Sequence, residues 1–192
     1  MRVSKETAAQ NRQRILTAAA RLFREQGIGG SGVDAITEAA GLTHGAFYSQ
    51  FESKEAVVAE AVRLAIDESR RAFERSSKSA KNGKALARVV AAYLARSHRD
   101  SPGDGCVVAA LGADIARQPK RVRAAFTKAL KEALEILTGL VPGGAASRRY
   151  DDALTLFSAM VGALILARAV SEESLSRRIL ETAANRLTAA GK

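Results

Sequence analysis

A chain of 192 residues, 47% hydrophobic and 26% charged, is long enough to bury a sizeable core and too apolar to stay disordered. Three prolines and an abundance of Ala, Leu, Arg and Glu favour helices, and no stretch sustains strict alternation, which argues against a sheet. The net charge of +10 suggests a polyanionic partner, yet residues 1–54 hold seven Lys and Arg against five Asp and Glu, a net +2, so charge points only weakly to nucleic acid.

One cysteine, Cys106, excludes an internal disulfide framework and fits a reducing cytoplasm. The first residues, MRVSKETAAQNRQ, lack the apolar core of a secretion signal. The longest uncharged run, Ala153 to Ala167, is short for a membrane span of about 20 residues and reads as a buried helix.

Helix 1 is predicted to begin near Thr7, where Thr7 and Gln10 fit a capping box. Ile15, Ala19, Leu22 and Phe23 recur at helical spacing, and Gly27 ends the helix by accepting a left-handed cap. Ser31 with Asp34 resembles a second capping box, opening helix 2, whose buried face is Val33, Ile36 and Ala40. Gly41 permits a turn and Thr43 caps helix 3, which Phe47 and Phe51 hold against the bundle. Two short helices joined by a tight turn are what places a helix in the DNA major groove.

Ser53 caps a long helix from Lys54 to about Ser77, followed by a polar break over residues 76–84. Further helices are expected over about 85–98, 106–117, 119–140, 148–170 and 174–190, separated by RDSPGDG and VPGGAAS.

GIGGSG at residues 27–32 matches G-x-G-x-x-G, but the dinucleotide-binding form follows a strand and here a helix precedes it, so it reads as a linker. His44, His98 and Cys106 show no zinc-ligand spacing, and no catalytic motif appears; no metal, cofactor or enzymatic activity is expected. Cys106 reads first as a small buried residue at a helix start and second as a sensor of thiol-reactive compounds.

Helix 3 carries the specific signal. With Phe47 and Phe51 buried, His44, Gly45, Tyr48, Ser49 and Gln50 remain for the outer surface and its edges. Gly45 permits close backbone approach, Tyr48 offers a hydroxyl to phosphate, and Gln50 hydrogen-bonds in both directions to a base edge. Lys54, in the next helix's first turn, reaches for phosphate. At RILTAAARLFREQG and VDAITEAAGLTHGAFYSQFESKEAVVAEAV, over about residues 11–62, the chain resembles the TetR family of bacterial transcriptional regulators, TetR/AcrR type.

The resemblance implies an all-α homodimer with a three-helix helix–turn–helix domain, residues 1–52. It also implies about six helices in a ligand-binding and dimerisation domain, residues 53–192. DNA-facing positions on this basis are Thr43, His44, Gly45, Tyr48, Ser49, Gln50 and Lys54, with Ser31 standing in where Gly32 replaces the usual hydroxyl residue. Ser49 replaces a common second aromatic. Arg12, with Arg2 and Lys5, would add phosphate contacts.

The implied protein is a ligand-responsive repressor on a palindromic operator in double-stranded DNA, released by a small-molecule effector that shifts the dimer to an unfitting spacing. Phe73, Tyr93, Leu111 and Phe126 are the expected pocket lining. The run around Ala153–Ala167 is apolar nearly all round and is the expected dimer helix, through Leu156, Ala159, Met160, Ala163 and Leu164. The alternatives are an all-helical small-molecule-binding protein or enzyme, and a non-specific architectural DNA-binding protein.

Overall fold

The computed structural model describes residues 4–79 and 84–189. Ten α-helices and no strand occur among the described residues. In α1 (Lys5–Gly30), Ser4 is the N-cap, accepting from the Thr7 amide at 3.1 Å. The cap therefore lies one turn earlier than the predicted Thr7, which occupies the third helical position. Gly27 breaks α1 at the expected position but not as the expected left-handed cap: at φ 77° and ψ 164° it lies outside the left-handed helical region, and a last turn continues to Gly30.

The predicted box at Ser31 and Asp34 does not form. Ser31 terminates α1, and α2 (Val33–Ala39) starts at Gly32 with no side-chain cap. Gly41, at φ 62°, turns the chain into α3 (His44–Tyr48), where Thr43 accepts from the Ala46 amide at 3.4 Å. Ser53 caps α4 (Lys54–Lys78) through the Ala56 amide at 3.2 Å. Such caps contribute about 1 kcal/mol each.

The helix expected over 85–98 divides into α5 (Ala85–Tyr93) and α6 (Arg96–Asp100). His98 explains the break: its Nδ1 lies 2.6 Å from the Tyr93 carbonyl oxygen, which a continuing helix would bond to a backbone N–H. A 3₁₀ turn at Pro102–Asp104 leads to α7 (Val107–Ala116), α8 (Lys120–Leu140), α9 (Ala146–Ala169) and α10 (Glu173–Ala189).

One core joins α1, α2 and α3 to α4, α7 and α8 through Ile15, Phe23, Ile36, Phe47, Val57, Val62, Leu111 and Val122. A second joins α5, α9, α10 and the end of α8 through Val90, Tyr93, Leu137, Phe157, Met160, Leu164 and Leu180. Helix α8 lies along α4 in constant register: Arg121 meets Glu52 and Arg63 meets Glu132, both pairs 69 residues apart. The two helices are thus parallel, rising together from the α3–α4 turn. Helix α9 is long and apolar enough to cross a membrane, but its Ala153, Leu156, Phe157, Met160 and Leu164 are buried among α8, α7 and α10, as in the core helix of a folded domain.

Candidate nucleic-acid interface

Burial of two aromatics sets the face that α3 presents. Phe47 is fully buried and Phe51 nearly so, their rings 5.8 Å apart. That leaves Thr43, His44, Gly45, Tyr48 and Ser49 exposed and Gln50 half-buried. Tyr48 is 56% exposed. A Cβ at Gly45 would meet nothing within 4 Å, so the backbone there is open to close approach.

The polar groups on this face are oriented. His44 Nδ1 lies 2.6 Å from Asp34 Oδ1 and its ring packs 5.2 Å from that of Tyr48. In the neutral imidazole this pairing keeps the proton on Nδ1 and leaves Nε2 as an outward acceptor, suited to a base amino group. Ser49 Oγ donates to the Ala46 carbonyl at 2.8 Å, so its free capacity is as an acceptor. Lys54 Nζ donates to the Ile28 carbonyl at 2.8 Å, closing the end of α1 and keeping two further N–H donors.

Two expected contacts are corrected. Ser31 has no exposed surface, and its hydroxyl donates to the Gly27 carbonyl at 3.1 Å. Arg12 is spent internally. Its Nη1 donates to the Gln50 carbonyl at 2.5 Å, its Nη2 lies 2.5 and 2.7 Å from the two Glu60 oxygens, and its guanidinium stacks 4.0 Å over the Phe51 ring. It braces the end of α3 to α1 and α4, with its side chain still 37% exposed. Lys5 is exposed at the start of α1, and Arg2 lies outside the described residues.

Asp34, Glu60 and Arg121 were missed from sequence. Their partners stand 10, 48 and 69 residues away, separations with no periodic signature.

A cleft of about 450 Å³ opens where α1, α4, α5 and the 98–106 segment converge. Phe73 and Tyr93 line it, with Ser69, Ala72, Val89, His98 and Cys106. Leu111 and Phe126 do not. Leu111 is 1% exposed in the core against α1, and Phe126 packs against that same core. Phe73, Tyr93 and Phe157 form an aromatic trio with centroids 6.1–6.3 Å apart. The buried Tyr93 hydroxyl has no partner among the described residues, and burial pushes its pKa up.

His98 donates from Nδ1 to Tyr93 and accepts the Cys106 amide N–H at Nε2, 2.9 Å away. Partial burial of the ring, with Arg168 nearby, lowers its pKa below 6.5, against the bond to the Tyr93 carbonyl, which raises it. Cys106 is 3% exposed, the bland alternative of the two expected for it. Among the described residues no group of three or more His, Cys, Asp or Glu is arranged to hold a metal.

The cleft adjoins a strut to α1. Buried Arg24 donates from Nε to the Gly103 carbonyl at 2.6 Å and pairs with Glu68 at 3.0 Å. The Ile28 amide donates to Asp114 at 3.3 Å. Loop 101–105, α4 and α7 are therefore all tied to the helix that supports α2 and α3.

The outer face of α9 and α10 differs from the expected dimer positions. Leu156, Met160, Ala163 and Leu164 are buried in the chain's own core. Two of the expected positions, Ala159 and Ala163, line an apolar groove between the two helices, together with Gly162, Leu166, Leu175 and Ile179 and with Arg178 and Arg186. Leu166 is 57% and Leu175 42% exposed.

The family described as "Bacterial regulatory proteins, tetR family" matches residues 15–61. The HTH-type transcriptional regulator AcrR of Shigella flexneri is 41% identical over 59 residues, 31% of this chain and 27% of that protein, so the similarity spans little more than a quarter of the curated relative. The crystal structure of a TetR-family transcriptional regulator from Cytophaga hutchinsonii covers 100% of this chain and 98% of its own at TM-score 0.80 and 21% identity. FadR of Bacillus subtilis, solved in complex with stearoyl-CoA, covers 90% and 97% at TM-score 0.64 and 20% identity. These two likenesses are of fold.

Proposed function

We propose, for a chain whose N-terminal segment belongs to the tetR family of bacterial regulatory proteins and whose fold its solved members share, that it is a ligand-responsive, sequence-specific repressor of transcription. Residues 1–52 read DNA in the cytoplasm, and residues 53–192 bind the effector and dimerise. The observation that carries this reading is α3: a helix pinned by Phe47 and Phe51 whose outward residues are His44, Gly45, Tyr48 and Ser49, with Gln50 at the edge.

Tyr48 and Lys54 supply phosphate contacts that set register, while His44 and Gln50 read base edges. Two subunits related by a two-fold axis require a palindromic site with half-sites about 34–36 Å or more apart. The α9–α10 groove is the self-complementary surface, since it is an apolar face of the described residues left uncovered by the chain's own core.

The effector is a small molecule seated in the cleft. FadR was solved with stearoyl-CoA; the cleft here, at about 450 Å³ and lined by Arg21, Arg24, Glu68 and Arg75 as well as by Phe73, Val89 and Tyr93, suits a smaller molecule with a polar part. Arg24 and α4 transmit its presence, because loop 101–105 and Glu68 border the cleft and hold α1 directly. A ligand that fits the cleft in only one arrangement of α1 shifts the population between DNA-competent and incompetent dimers.

Selection of bound duplexes from a random pool tests the reading. A two-fold symmetric consensus is expected, and Gln50→Ala should relax preference at one base pair per half-site by about 1–3 kcal/mol. Enrichment of no sequence would overturn it and favour the architectural alternative.

A further inference from the structure

Half of the chain's net charge of +10 sits on one side of one helix. Residues 120–131 of α8 contain Lys120, Arg121, Arg123, Lys128 and Lys131 and no Asp or Glu. All five are exposed. Arg121 pairs with Glu52 at 2.6 Å; the other four have no carboxylate within 4.0 Å among the described residues. The first turn of α8 holds no acidic residue, so its cations oppose the positive end of the helix macrodipole. Local preference broken in this way, without a compensating internal partner, is the mark of a surface shaped by something outside the chain.

The register of α4 and α8 fixes how high each cation stands. With a constant offset of 69 residues, Arg123 is level with Lys54 and Lys120 with Phe51. Lys120, Arg121 and Arg123 therefore stand level with the α3–α4 turn and the first turn of α4, while Lys128 and Lys131 stand one to three turns further up. Arg121 also offsets Glu52, the single acid in the α3–α4 turn, which would otherwise repel a phosphate.

We propose that Lys120, Arg121 and Arg123 form a second phosphate-binding surface, continuous with the α3 face, that grips the backbone of the operator duplex. The inference rests on the reading that α3 enters the groove. The clamp adds affinity and salt dependence without sequence information, and it gives the excess charge outside residues 1–54 a partner.

The test uses the full-length protein on the duplex selected from the random pool. The double variant Lys120→Gln/Arg123→Gln removes two clamp cations per subunit; Lys128→Gln/Lys131→Gln removes the same charge higher up. If each clamp residue neutralises one phosphate, four contacts per dimer disappear and the slope of log Kobs against log salt flattens by about 3–4. The upper pair should change it by less than about 1. Phosphate-ethylation interference should lose its clamp positions only in the lower variant, and base preference should be unaltered in both. The thermal midpoint of the lower variant should hold or rise, since the removed charges oppose the helix dipole.

Equal flattening by both pairs, or none by the lower pair, overturns the clamp while leaving α3 as the sequence-reading element. A wild-type protein that selects no sequence overturns the reading of α3 and the clamp with it.

Discussion

Arg12 has the attributes of a phosphate contact: a long cationic side chain on α1, near the DNA-facing elements. Its two terminal nitrogens instead donate to the Gln50 carbonyl and the Glu60 carboxylate, over the Phe51 ring. A planar fork satisfies all three at once, and an ammonium does not. Arg12→Ala should lower operator affinity about tenfold or more through misplacement of α3, with the salt slope unchanged, and Arg12→Lys should not restore it. A slope flattened by about 2 per dimer would return Arg12 to the phosphate contacts. The residues of α3 were legible in sequence because an i, i+4 aromatic pair defines an inside and therefore an outside. The brace was not, because Arg12 and Glu60 lie 48 residues apart and either reads alone as a solvated charge.

His98 makes a separate prediction. In the folded chain partial burial of its imidazole holds its pKa below the value of 6.5 it recovers on unfolding, although the bond to the Tyr93 carbonyl acts the other way. Between those two values only the unfolded state takes up the proton. Stability from this group is therefore full above pH 6.5 and is lost as pH falls toward the folded-state pKa, by at most about 1.4 kcal/mol per pH unit. The thermal midpoint should drop between pH 7.5 and 5.5, and the drop should be smaller in His98→Gln, whatever that variant's midpoint at pH 7.5. An identical pH dependence in the two proteins would remove His98 from the account. Protonation would also break the Cys106 amide contact, loosening the cleft wall.

At the scale of elements, the turns were more legible than the helix ends. Gly27 and Gly41 were both read as turn glycines, and both have positive φ, 77° and 62°. A methyl at Gly27 would be strained by its φ and would come within 2.9 Å of Asp114 Oδ2, which the Ile28 amide needs as an acceptor. Gly27→Ala should destabilise by about 1–3 kcal/mol and lower the thermal midpoint by several degrees. Gly29→Ala, where the added carbon meets nothing within 4 Å, should be neutral or slightly stabilising. Equal midpoints for the two variants would deny Gly27 its special conformation. The misplaced starts of α1 and α2 have a common cause. Ser4 and Thr7 both fit a cap, as Ser31 and Gly32 both fit the entry to α2, and only the surrounding packing decides. Ser31 was drawn inward because the kink at Gly27 left a carbonyl for its hydroxyl to satisfy.

On the scale of the whole molecule, α9 is where periodicity fell silent. A helix apolar nearly all round announces burial without saying which neighbour takes which side. The chain's own core takes Leu156, Met160 and Leu164, and the groove with α10 keeps Ala159, Gly162, Leu166 and Leu175. The two sets make opposite predictions. Leu166→Glu places a charge on the outer face, where a folded monomer tolerates it and an apolar dimer seam does not. Sedimentation should show that variant as a folded monomer at micromolar concentration. Operator affinity should fall by about 10²–10⁴, because the second half-site is no longer bound at high effective concentration. Leu164→Ala, fully inside the chain, should instead cost about 2–5 kcal/mol of stability and leave the dimer and its operator affinity intact at temperatures where it remains folded. A Leu166→Glu protein that sediments with the wild type would place the seam elsewhere, and the exposed Ile165 and Leu154 on the other side of α9 would be the next surface to charge.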